Sequence, residues 1–476
     1  MKKTMRLNPS TAACLAVFAS LSLLASCMTT RNAKFAEADE RVESREYEAV
    51  ANALDGPESA DFYRDKDQVL RYLDSGMLYH MAGRPERSTF NFSEAERLIE
   101  ENYTKSISNA AASFLLNDYS LEYFGEAYED LYLNVFKALD YIRLDNFDGA
   151  FVEVRKVGNK LNLLEDKYGR LADRMNSSSE AKGVVKAGKT EFHNSALARY
   201  LGVLLYRADG LVDDAALDLR KLNEAFAAQP AVYDFPPPEL DAMLSPTDKA
   251  RLNVIGFSGR SPAKRAVTLR LITAEDVVAV TMQKEDERGN LYFTDVGVVA
   301  FPGVDGGYNF KCQLPEMIDR PSKVARISVI VDGVKAGDLA LIERLDSVAM
   351  ETFKLSQTPL YFKTVIRTIA KGILAEKAKE QAWESASKAG GVAGLFALAG
   401  GLAADVAIEA TEQADLRMAR YFPGEARVGE FEIEPGEHDV AVEYYDAGGG
   451  LLYRETFPRR SYSKQGLNVV ASYNLE

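Results

Sequence analysis

The most specific chemical motif in the sequence is a match to the phosphate-binding P-loop at Gly183–Thr190, which reads Gly-Val-Val-Lys-Ala-Gly-Lys-Thr. In such a loop, backbone N–H groups surround the phosphates, the lysine reaches the outer phosphates and the threonine binds magnesium. The loop must follow a buried strand and open a helix. Residues 175–182 are instead polar and predict a loop, and no apolar strand ending in aspartate follows in the helical half. We therefore predict a connector that binds no nucleotide, and no other cofactor is indicated.

The histidines and serines form no recognisable catalytic or metal-binding pattern. His80, His193 and His438 are far apart and show none of the spacings with which histidines bind zinc. The segment Gly256-Phe-Ser-Gly259 departs from the G-x-S-x-G pattern of serine hydrolases. Two of the 71 acidic residues could form a glycosidase-like carboxylate pair, but the sequence does not indicate which two. The sequence therefore predicts no catalytic residues, no metal site and a protein that is not an enzyme.

Cys27 is the residue with the clearest chemical role. It follows Leu24-Ala-Ser26, after a positively charged start and an apolar stretch too short for a comfortable membrane span. The pattern resembles the bacterial lipobox, which implies a signal peptide at residues 1–26 and a lipid anchor on Cys27. The alternative is an ordinary signal peptide that happens to contain a cysteine. Met28, in place of aspartate, favours the outer membrane and a body facing the periplasm; the inner membrane and the cell surface stay open.

Charge and cysteine content narrow the class of partner. Cleavage after residue 26 removes three positive charges, so the formal charge changes from −14 to −17. An acidic body is unsuited to nucleic acid, whose phosphates are bound by clustered Lys and Arg. Cys14 leaves with the signal and Cys27 is acylated, so Cys312 is the one other cysteine and the sequence predicts no intramolecular disulfide. The expected partners are the membrane, through the lipid, and a protein or peptide of the envelope.

Residues 119–136 interleave aromatic and acidic side chains. Phe124, Tyr128, Tyr132 and Phe136 recur every four residues, so on a helix they share one face. Such a stripe usually belongs to a hydrophobic core, which is the interpretation we favour. The functional alternative is an aromatic, acidic groove for a peptide or a glycan.

Helical periodicity runs over residues 61–229 and contains a repeat. Aligned on Tyr79, Tyr141 and Tyr206, three copies share a turn residue four positions later, a small residue after nine, and apolar residues after thirteen and sixteen. These offsets resemble the helix–turn–helix of tetratricopeptide (TPR) repeats. The copies are 62 and 65 residues apart, where a regular array has about 34. The sequence therefore predicts a TPR-like helical domain that is not a regular array.

The long spacing predicts additional helices between the pairs, near residues 107–116 and 119–132. Repeated helix pairs commonly present a concave surface to a protein partner. The candidate partner-binding residues are Tyr79, Tyr119, Tyr123, Tyr128, Tyr141 and Tyr206.

The remaining segments complete the predicted domain organisation. The polar stretch at 27–60 predicts a lipid-anchored tether, and the proline-rich stretch at 230–245 predicts a linker. Alternating residues predict a β-rich domain made of 246–356 and 421–476, interrupted by a helical insertion at 357–420. Asp332-Gly333 predicts a hairpin turn in its first part. Two separate β modules are the alternative. The predicted fold class is α+β, with an N-terminal TPR-like helical repeat domain followed by a β-rich domain with a helical insertion.

An uncharged stretch lies inside that insertion, at residues 389–404. Ala389, Ala393, Ala397 and Gly401 are spaced four apart, which allows close approach of helices. The stretch is shorter than the roughly 20 apolar residues of a membrane span. A buried helical hairpin is the simpler interpretation and the one we favour. Membrane contact or self-association is the functional alternative.

Short motifs accompany this order of segments, at Gly259–Lys264, Tyr361–Arg367 and Thr411–Arg417, the last shortly before Tyr421-Phe-Pro423. Together with the lipobox and the TPR-like half, they resemble a family of functionally uncharacterised bacterial envelope lipoproteins. The chain has Met418-Ala419 where a tryptophan is familiar in that family. The resemblance implies location and architecture, and it carries over no catalytic residue.

The sequence thus favours a lipid-anchored envelope protein that acts as a binding scaffold or assembly factor through its helical repeats. A glycan- or peptidoglycan-binding or -processing protein is the alternative, using the Tyr- and Glu-rich segment. A membrane-associated oligomeric assembly subunit is a further alternative.

Overall fold

The computed structural model describes residues 31–110, 113, 116–177, 185–285, 291–389 and 413–476. Helices fill the first half and strands dominate the second, so the α+β prediction is confirmed. The helices are α1 (31–43), α2 (Tyr47–Asp55), α3 (Gln68–Met81), α4 (Pro85–Asn109), α5 (Ala127–Arg143), α6 (Phe147–Asn176), α7 (Ala196–Ala208), α8 (Val212–Ala228) and α9 (Leu345–Ala389). The strands are β1 (Ala250–Ser258), β2 (Ala263–Ala274), β3 (Val277–Glu285), β4 (Leu291–Ala300), β5 (Asn309–Ile318), β6 (Arg326–Val331), β7 (Val334–Asp338), β8 (Ala340–Arg344), β9 (Glu425–Ile433), β10 (Gly436–Tyr445), β11 (Leu451–Tyr462) and β12 (Val469–Asn474).

The three repeat copies fall on three helix pairs, α3–α4, α5–α6 and α7–α8. The turn residues Gly83, Asp145 and Gly210 have φ values of 68°, 54° and 77°, the left-handed conformation that commonly ends a helix. Ala150 and Ala215, the small residues of the second and third copies, are fully buried on the second helix of each pair. The repeat therefore located the turns correctly, while the assignment to a TPR architecture remains a prediction.

The long spacing between copies has a different origin from the one predicted. α4 has 25 residues and α6 has 30, so long second helices absorb much of the extra length. Residues 107–109 are the end of α4, while residues 111, 112, 114 and 115 lie outside the described part, so the helix predicted near 107–116 stays a prediction there. The helix predicted near 119–132 is not an additional one, because residues 118–120 form a single 3₁₀ turn and α5 itself starts at Ala127. Reciprocal capping hydrogen bonds between Glu126 and Glu129 fix that start.

The prediction of a tether over 27–60 is wrong for its described part. α1 and α2 occupy this stretch, and Val50 and Leu54 are buried in the core that they share with the helix pairs. Arg45, with φ of 64°, turns the chain between the two helices. Its guanidinium carbon lies 3.1 Å from the ring centroid of Tyr453, so this stretch packs against β11.

The stretch at 230–245, predicted as a linker, is packed into the core as well. Val232 and Tyr233 are buried, and the Tyr233 hydroxyl donates a hydrogen bond of 2.6 Å to Glu343. The proline run bends the chain there, and the residues before it hold the helices to β8.

Strands from both sides of the helical insertion share two sheets, with strand orders β12-β1-β9-β8 and β11-β10-β6-β7. β1 pairs in parallel with β12 and antiparallel with β9, and β10 pairs antiparallel with β6. The β6–β7 hairpin turns at Asp332-Gly333, as predicted, with φ values of 50° and 79°. The third sheet, in the order β4-β3-β2-β5, is antiparallel and comes from residues 263–318.

The helical insertion begins earlier than the predicted residue 357. α9 starts at Leu345, directly after β8, and contains Pro359. Leu345, Val348 and Ala349 are fully buried at helical spacing, a short apolar pattern that the strand prediction through 356 obscured.

Residues 413–424, here called the return segment, contain neither helix nor strand and lead from the insertion into β9. Residues 390–412 lie outside the described part of the chain, and they include all of the uncharged stretch except Ala389. Residues 1–30, with the predicted signal peptide and Cys27, lie outside it too.

The aromatic stripe on α5 is part of the core, as favoured from the sequence. Tyr128, Tyr132 and Phe136 are each 1% exposed or less. The Phe136 ring centroid lies 5.3 Å from that of Phe257 on β1 and 5.7 Å from that of Phe422 in the return segment. Aromatic packing therefore joins the helical half to the sheets.

Candidate functional site

A cavity of about 120 Å³ lies where the helices meet the β-rich part. Its apolar wall includes Phe124, Tyr168, Leu171, Leu360 and Met175. This junction cavity combines apolar walls with a few placed polar groups, as small-molecule sites do. Its charged lining residues are Asp118, Glu122, Glu126, Lys264, Lys363, Asp415 and Arg417.

Arg417, in the return segment, is the central cation of this junction. Its guanidinium lies 2.6 Å from Asp415 and 3.2 Å from Asp67, and it donates to the carbonyl oxygens of Leu121 and Asp118 at 2.9 and 2.8 Å. Burial acts to lower the pKa of the Arg417 guanidinium, but the two carboxylates raise that pKa above its ordinary value. The return segment is thus held to the helical half by one satisfied, buried cation.

Asp118 binds two cations of α9. Its carboxylate lies 2.7 Å from the Lys363 ammonium and 3.4 Å from the Arg367 guanidinium. Burial acts to raise the pKa of Asp118, yet the two cations leave it lower than its ordinary value. Asp118 is therefore ionised at neutral pH and fixes α9 to the segment before α5.

Lys264 connects β2 to the same junction. Its ammonium forms an ion pair with Glu126, donates to the carbonyl oxygen of Arg417 at 3.3 Å, and lies 5.3 Å from the ring centroid of Phe353. One side chain thereby contacts α5, α9 and the return segment.

The motifs that carry the family resemblance meet at this place. Gly259–Lys264 supplies Lys264, Tyr361–Arg367 supplies Lys363, and the described part of Thr411–Arg417 supplies Arg417. Sequence reasoning did not select these cations as site residues. A signal was present for α9, because Lys363 and Arg367 stand four apart in an apolar helical stretch and a buried cation there requires a carboxylate partner.

Two buried acids hold the backbone of the return segment. Glu129 accepts hydrogen bonds from Ala419 N–H at 2.6 Å and from the Tyr123 hydroxyl at 2.8 Å. Asp74 accepts one from Arg420 N–H at 2.7 Å. Burial raises the pKa of Glu129 to about 7 and that of Asp74 to about 6. Both carboxyls therefore change protonation state between about pH 6 and pH 7.

A second concave surface, the inter-pair groove, lies between α6 and the α7–α8 pair and has a volume of about 310 Å³. The rings of Phe151 and Tyr206 pack there with centroids 4.9 Å apart. Leu217, also in the lining, is 38% exposed. The polar lining residues are Arg155, Asn159, Asn162, Asn194, Ser195, Arg199, Asp214, Asp218 and Lys221.

The six predicted partner-binding tyrosines do not form one surface. Tyr79, Tyr123 and Tyr128 are buried, so the prediction that they lie on a binding surface is wrong for this structure. Tyr79 and Tyr128 lie on the packed faces of α3 and α5, and Tyr123, just before α5, donates its hydroxyl to the buried Glu129 at 2.8 Å. The others are half-buried: Tyr206 lines the inter-pair groove, Tyr119 contacts cations near Arg417, and Tyr141 is on α5.

The described part of the P-loop match, residues 185–190, forms neither a helix nor a strand. A side chain at Gly188 would meet the Lys354 carbonyl oxygen at 1.9 Å, because this stretch packs against α9. α7 begins later, at Ala196, where Ser195 accepts a hydrogen bond from Ala198 N–H. The strand–loop–helix geometry of a P-loop is absent from these described residues.

The histidines lie in three different surroundings. His193 is exposed in the loop before α7, where its backbone N–H donates to the Gln229 side chain at 2.6 Å. His80 is fully buried, with Nδ1 2.7 Å from Asp140 and Nε2 hydrogen-bonded to the Tyr473 hydroxyl, and burial lowers its pKa. His438 has Nδ1 2.6 Å from Asp332, a contact that raises its pKa. No cluster of His, Cys, Asp or Glu suited to a metal ion occurs in the described part of the chain.

None of the helices among the described residues combines the length and apolar character needed to cross a membrane. Comparison with known proteins finds no matching family model, no similar curated protein and no similar solved structure. A role for the junction cavity and for the inter-pair groove must therefore be argued from the geometry of each site.

Proposed function

We propose that this chain is a lipid-anchored cell-envelope protein, placed at the outer membrane and facing the periplasm, that acts as a non-enzymatic binding scaffold. Its helix pairs hold a segment of a protein partner in the inter-pair groove. Two features support the proposal: the lipobox-like sequence ending at Cys27, and three helix pairs that turn at regular repeat positions.

The inter-pair groove is the observation that carries this proposal. It leaves apolar side chains accessible, since Leu217 in its lining is 38% exposed and the lining residues Phe151 and Tyr206 are half-buried. Groove-binding partners insert apolar anchors between helices in this way. An apolar side chain of the partner would rest on the Phe151 and Tyr206 rings.

The charges in the groove indicate the kind of partner. Its lining has three cations, Arg155, Arg199 and Lys221, against the two carboxylates Asp214 and Asp218, although the whole chain has a formal charge of −14. Arg199 and Asp218 pair at 2.9 Å, which leaves a small excess of positive charge. We expect a partner segment that combines an apolar anchor with acidic or carbonyl groups.

Photo-crosslinking in cells tests the proposal. A photoreactive residue replaces Leu217 in the groove, and the matched control replaces Leu163, which is 57% exposed on α6 but does not line the groove. We expect a discrete protein adduct from position 217, identified by mass spectrometry, and little of it from position 163. The same adduct at equal yield from both positions would contradict the proposal.

A second candidate function is favoured by the junction cavity. Its wall contains residues 121–126, part of the Tyr- and Glu-rich segment for which the sequence left a glycan or peptidoglycan ligand open. Ser106→Trp fills this cavity, whereas Ser108→Trp changes a residue of α4 outside its lining. Loss of muropeptide binding in the first variant alone would support this function, and unchanged binding in both would exclude the cavity as the site.

Self-association through residues 389–404 is the third hypothesis, and it concerns residues outside the described part apart from Ala389. Its test is the oligomeric state of the Ala393→Leu and Ala397→Leu variants in detergent.

A further inference from the structure

The proposed lipid anchor and the first described helix together restrict how the body meets the membrane. Residues 28–30 alone separate Cys27 from residue 31. An extended chain gains about 3.5 Å per residue, so residue 31 lies within about 14 Å of Cys27. α1 adds no free length, because Ala38 and Val42 are buried in the core.

The anchored end of α1 rests on a defined part of the body. The Phe35 ring centroid lies 5.3 Å from that of Phe62 and 5.4 Å from that of Tyr63. The Arg420 guanidinium carbon, in the return segment, lies 4.5 Å from the Phe35 centroid. The anchor therefore emerges beside residues 61–63 and the return segment.

The other end of α1 points toward the sheet β11-β10-β6-β7. Arg45, two residues after α1, lies on the Tyr453 ring and donates to the Tyr473 carbonyl oxygen at 3.0 Å. The described residues of α1, 31–43, span about 20 Å at about 1.5 Å per residue. Leu451, 54% exposed and two residues from Tyr453, thus lies far from the anchored end.

The surface near the anchor carries side chains suited to a lipid headgroup layer. Next to Tyr63, the guanidinium carbon of Arg64 and the ammonium of Lys66 lie 4.0 and 4.9 Å from the Tyr119 ring centroid. Arg64 also pairs with Asp67 at 2.5 Å, and Lys66 donates to the Tyr119 carbonyl oxygen at 2.6 Å, so each half-buried cation keeps its remaining N–H groups for a phosphate.

Leu116, three residues before Tyr119, is 50% exposed, and Leu416 is 43% exposed and precedes Arg417, whose guanidinium carbon lies 5.7 Å from the Tyr119 centroid. Cations bind headgroup phosphates, while tyrosine rings and leucine side chains reach the acyl boundary.

We propose that this membrane-facing surface, made of Arg64, Lys66, Leu116, Tyr119 and Leu416, lies against a phospholipid bilayer. The inference rests on the proposed lipid anchor at Cys27 and adds an orientation to it. Tyr119, predicted as a partner-binding residue, then has a lipid as its partner.

Fluorescence quenching in vesicles tests this orientation. The full-length lipidated protein, as Leu416→Cys or Leu451→Cys, is labelled with a thiol-reactive bimane. It is then reconstituted into vesicles of phosphatidylethanolamine and phosphatidylglycerol that contain a spin-labelled lipid. Background labelling is low, because the remaining thiol, Cys312, is 1% exposed. We expect several-fold stronger quenching at position 416, and equal or stronger quenching at position 451 would overturn the orientation.

The mass of the N-terminal peptide separates this inference from the proposed function. An unacylated Cys27 would contradict the lipoprotein proposal itself. An acylated Cys27 without stronger quenching at position 416 would contradict the orientation alone. Circular dichroism of both variants confirms that the two exposed leucine substitutions leave the fold intact.

Discussion

The junction around Arg417 and the inter-pair groove beside Tyr206 both contain paired charges, but they differ in how those charges meet solvent. Arg417 is 8% exposed, and two carboxylates and two backbone carbonyls satisfy it. In the groove, the Arg155 side chain is exposed and bonds the Tyr206 hydroxyl at 3.4 Å. Buried ion pairs therefore fix the position of the return segment, whereas the groove keeps accessible groups for a partner.

Removing the central cation of the junction should have the largest effect. Arg417→Met leaves the Asp415 carboxylate without its cation and Asp67 with Arg64 alone. It also removes the donor to the carbonyl oxygens of Leu121 and Asp118, and we expect a loss of about 3–4 kcal/mol in the free energy of unfolding. Urea denaturation measures the change. Arg155→Met, in the groove, is the matched control and should change stability by less than about 0.5 kcal/mol. Similar losses in both variants would remove the distinction between the two regions.

The buried acids of the junction predict a pH dependence. Glu129 and Asp74 have raised pKa values of about 7 and about 6 in the folded chain, so the folded state binds more protons than the unfolded state between about pH 4.5 and 7. Stability should therefore fall as the pH rises through this window. For Glu129 the fall is on the order of 3 kcal/mol.

Glu129→Gln removes the titrating group and shows how much of this pH dependence it carries. Chemical denaturation at pH 5 and pH 7.5 should show a smaller difference in the variant than in the parent chain. An unchanged difference would contradict the role of Glu129.

Two glycine substitutions test the packing of the P-loop match. Gly188→Ala places a methyl group against the Lys354 carbonyl and should destabilise the chain by about 1–3 kcal/mol. Gly169→Ala lies in the middle of α6, where no atom beyond the neighbouring backbone of the helix is within 4 Å of the added methyl group, and it should stabilise the chain by about 0.5–1 kcal/mol. Thermal denaturation of both variants measures the contrast, and a neutral Gly188→Ala would mean that this stretch is not packed as described.

The groove variants should have the smallest effect on stability. Leu217→Asp and Leu163→Asp each change an exposed leucine, so both should stay within about 0.5 kcal/mol of the parent chain. Urea denaturation checks this before any binding measurement. A large loss in Leu217→Asp alone would show that this residue supports the fold rather than the groove.

Local patterns predicted much of the fold. The repeat spacing located the turns at Gly83, Asp145 and Gly210, because a left-handed turn and a small buried residue must recur wherever two helices pack closely. The aromatic stripe correctly predicted a core face for Tyr128, Tyr132 and Phe136, whereas Phe124 precedes α5 and is half-buried. The Asp332-Gly333 pair correctly predicted a hairpin.

Long-range pairing explains most of what the sequence missed. Charged residues surround α2 in the sequence, and the burial of its Val50 and Leu54 depends on helices that come later in the chain. Likewise, Lys264, Lys363 and Arg417 come together only through folding, since about 100 and 50 residues separate them in sequence. Tyr79, Tyr123 and Tyr128 were misassigned because aromatic side chains occur in cores and on binding surfaces alike, and the sequence pattern does not separate the two.

The affinity of the identified partner for matched groove variants shows directly whether the partner binds in the inter-pair groove. Leu217→Asp places a carboxylate where the partner's apolar anchor is expected, and Leu163→Asp makes the same change on α6 outside the groove. Isothermal titration with the purified partner should show at least about tenfold weaker binding for Leu217→Asp, equivalent to about 1.4 kcal/mol. Binding by Leu163→Asp should match the parent chain. Equal affinities for all three proteins would contradict the inter-pair groove as the binding surface.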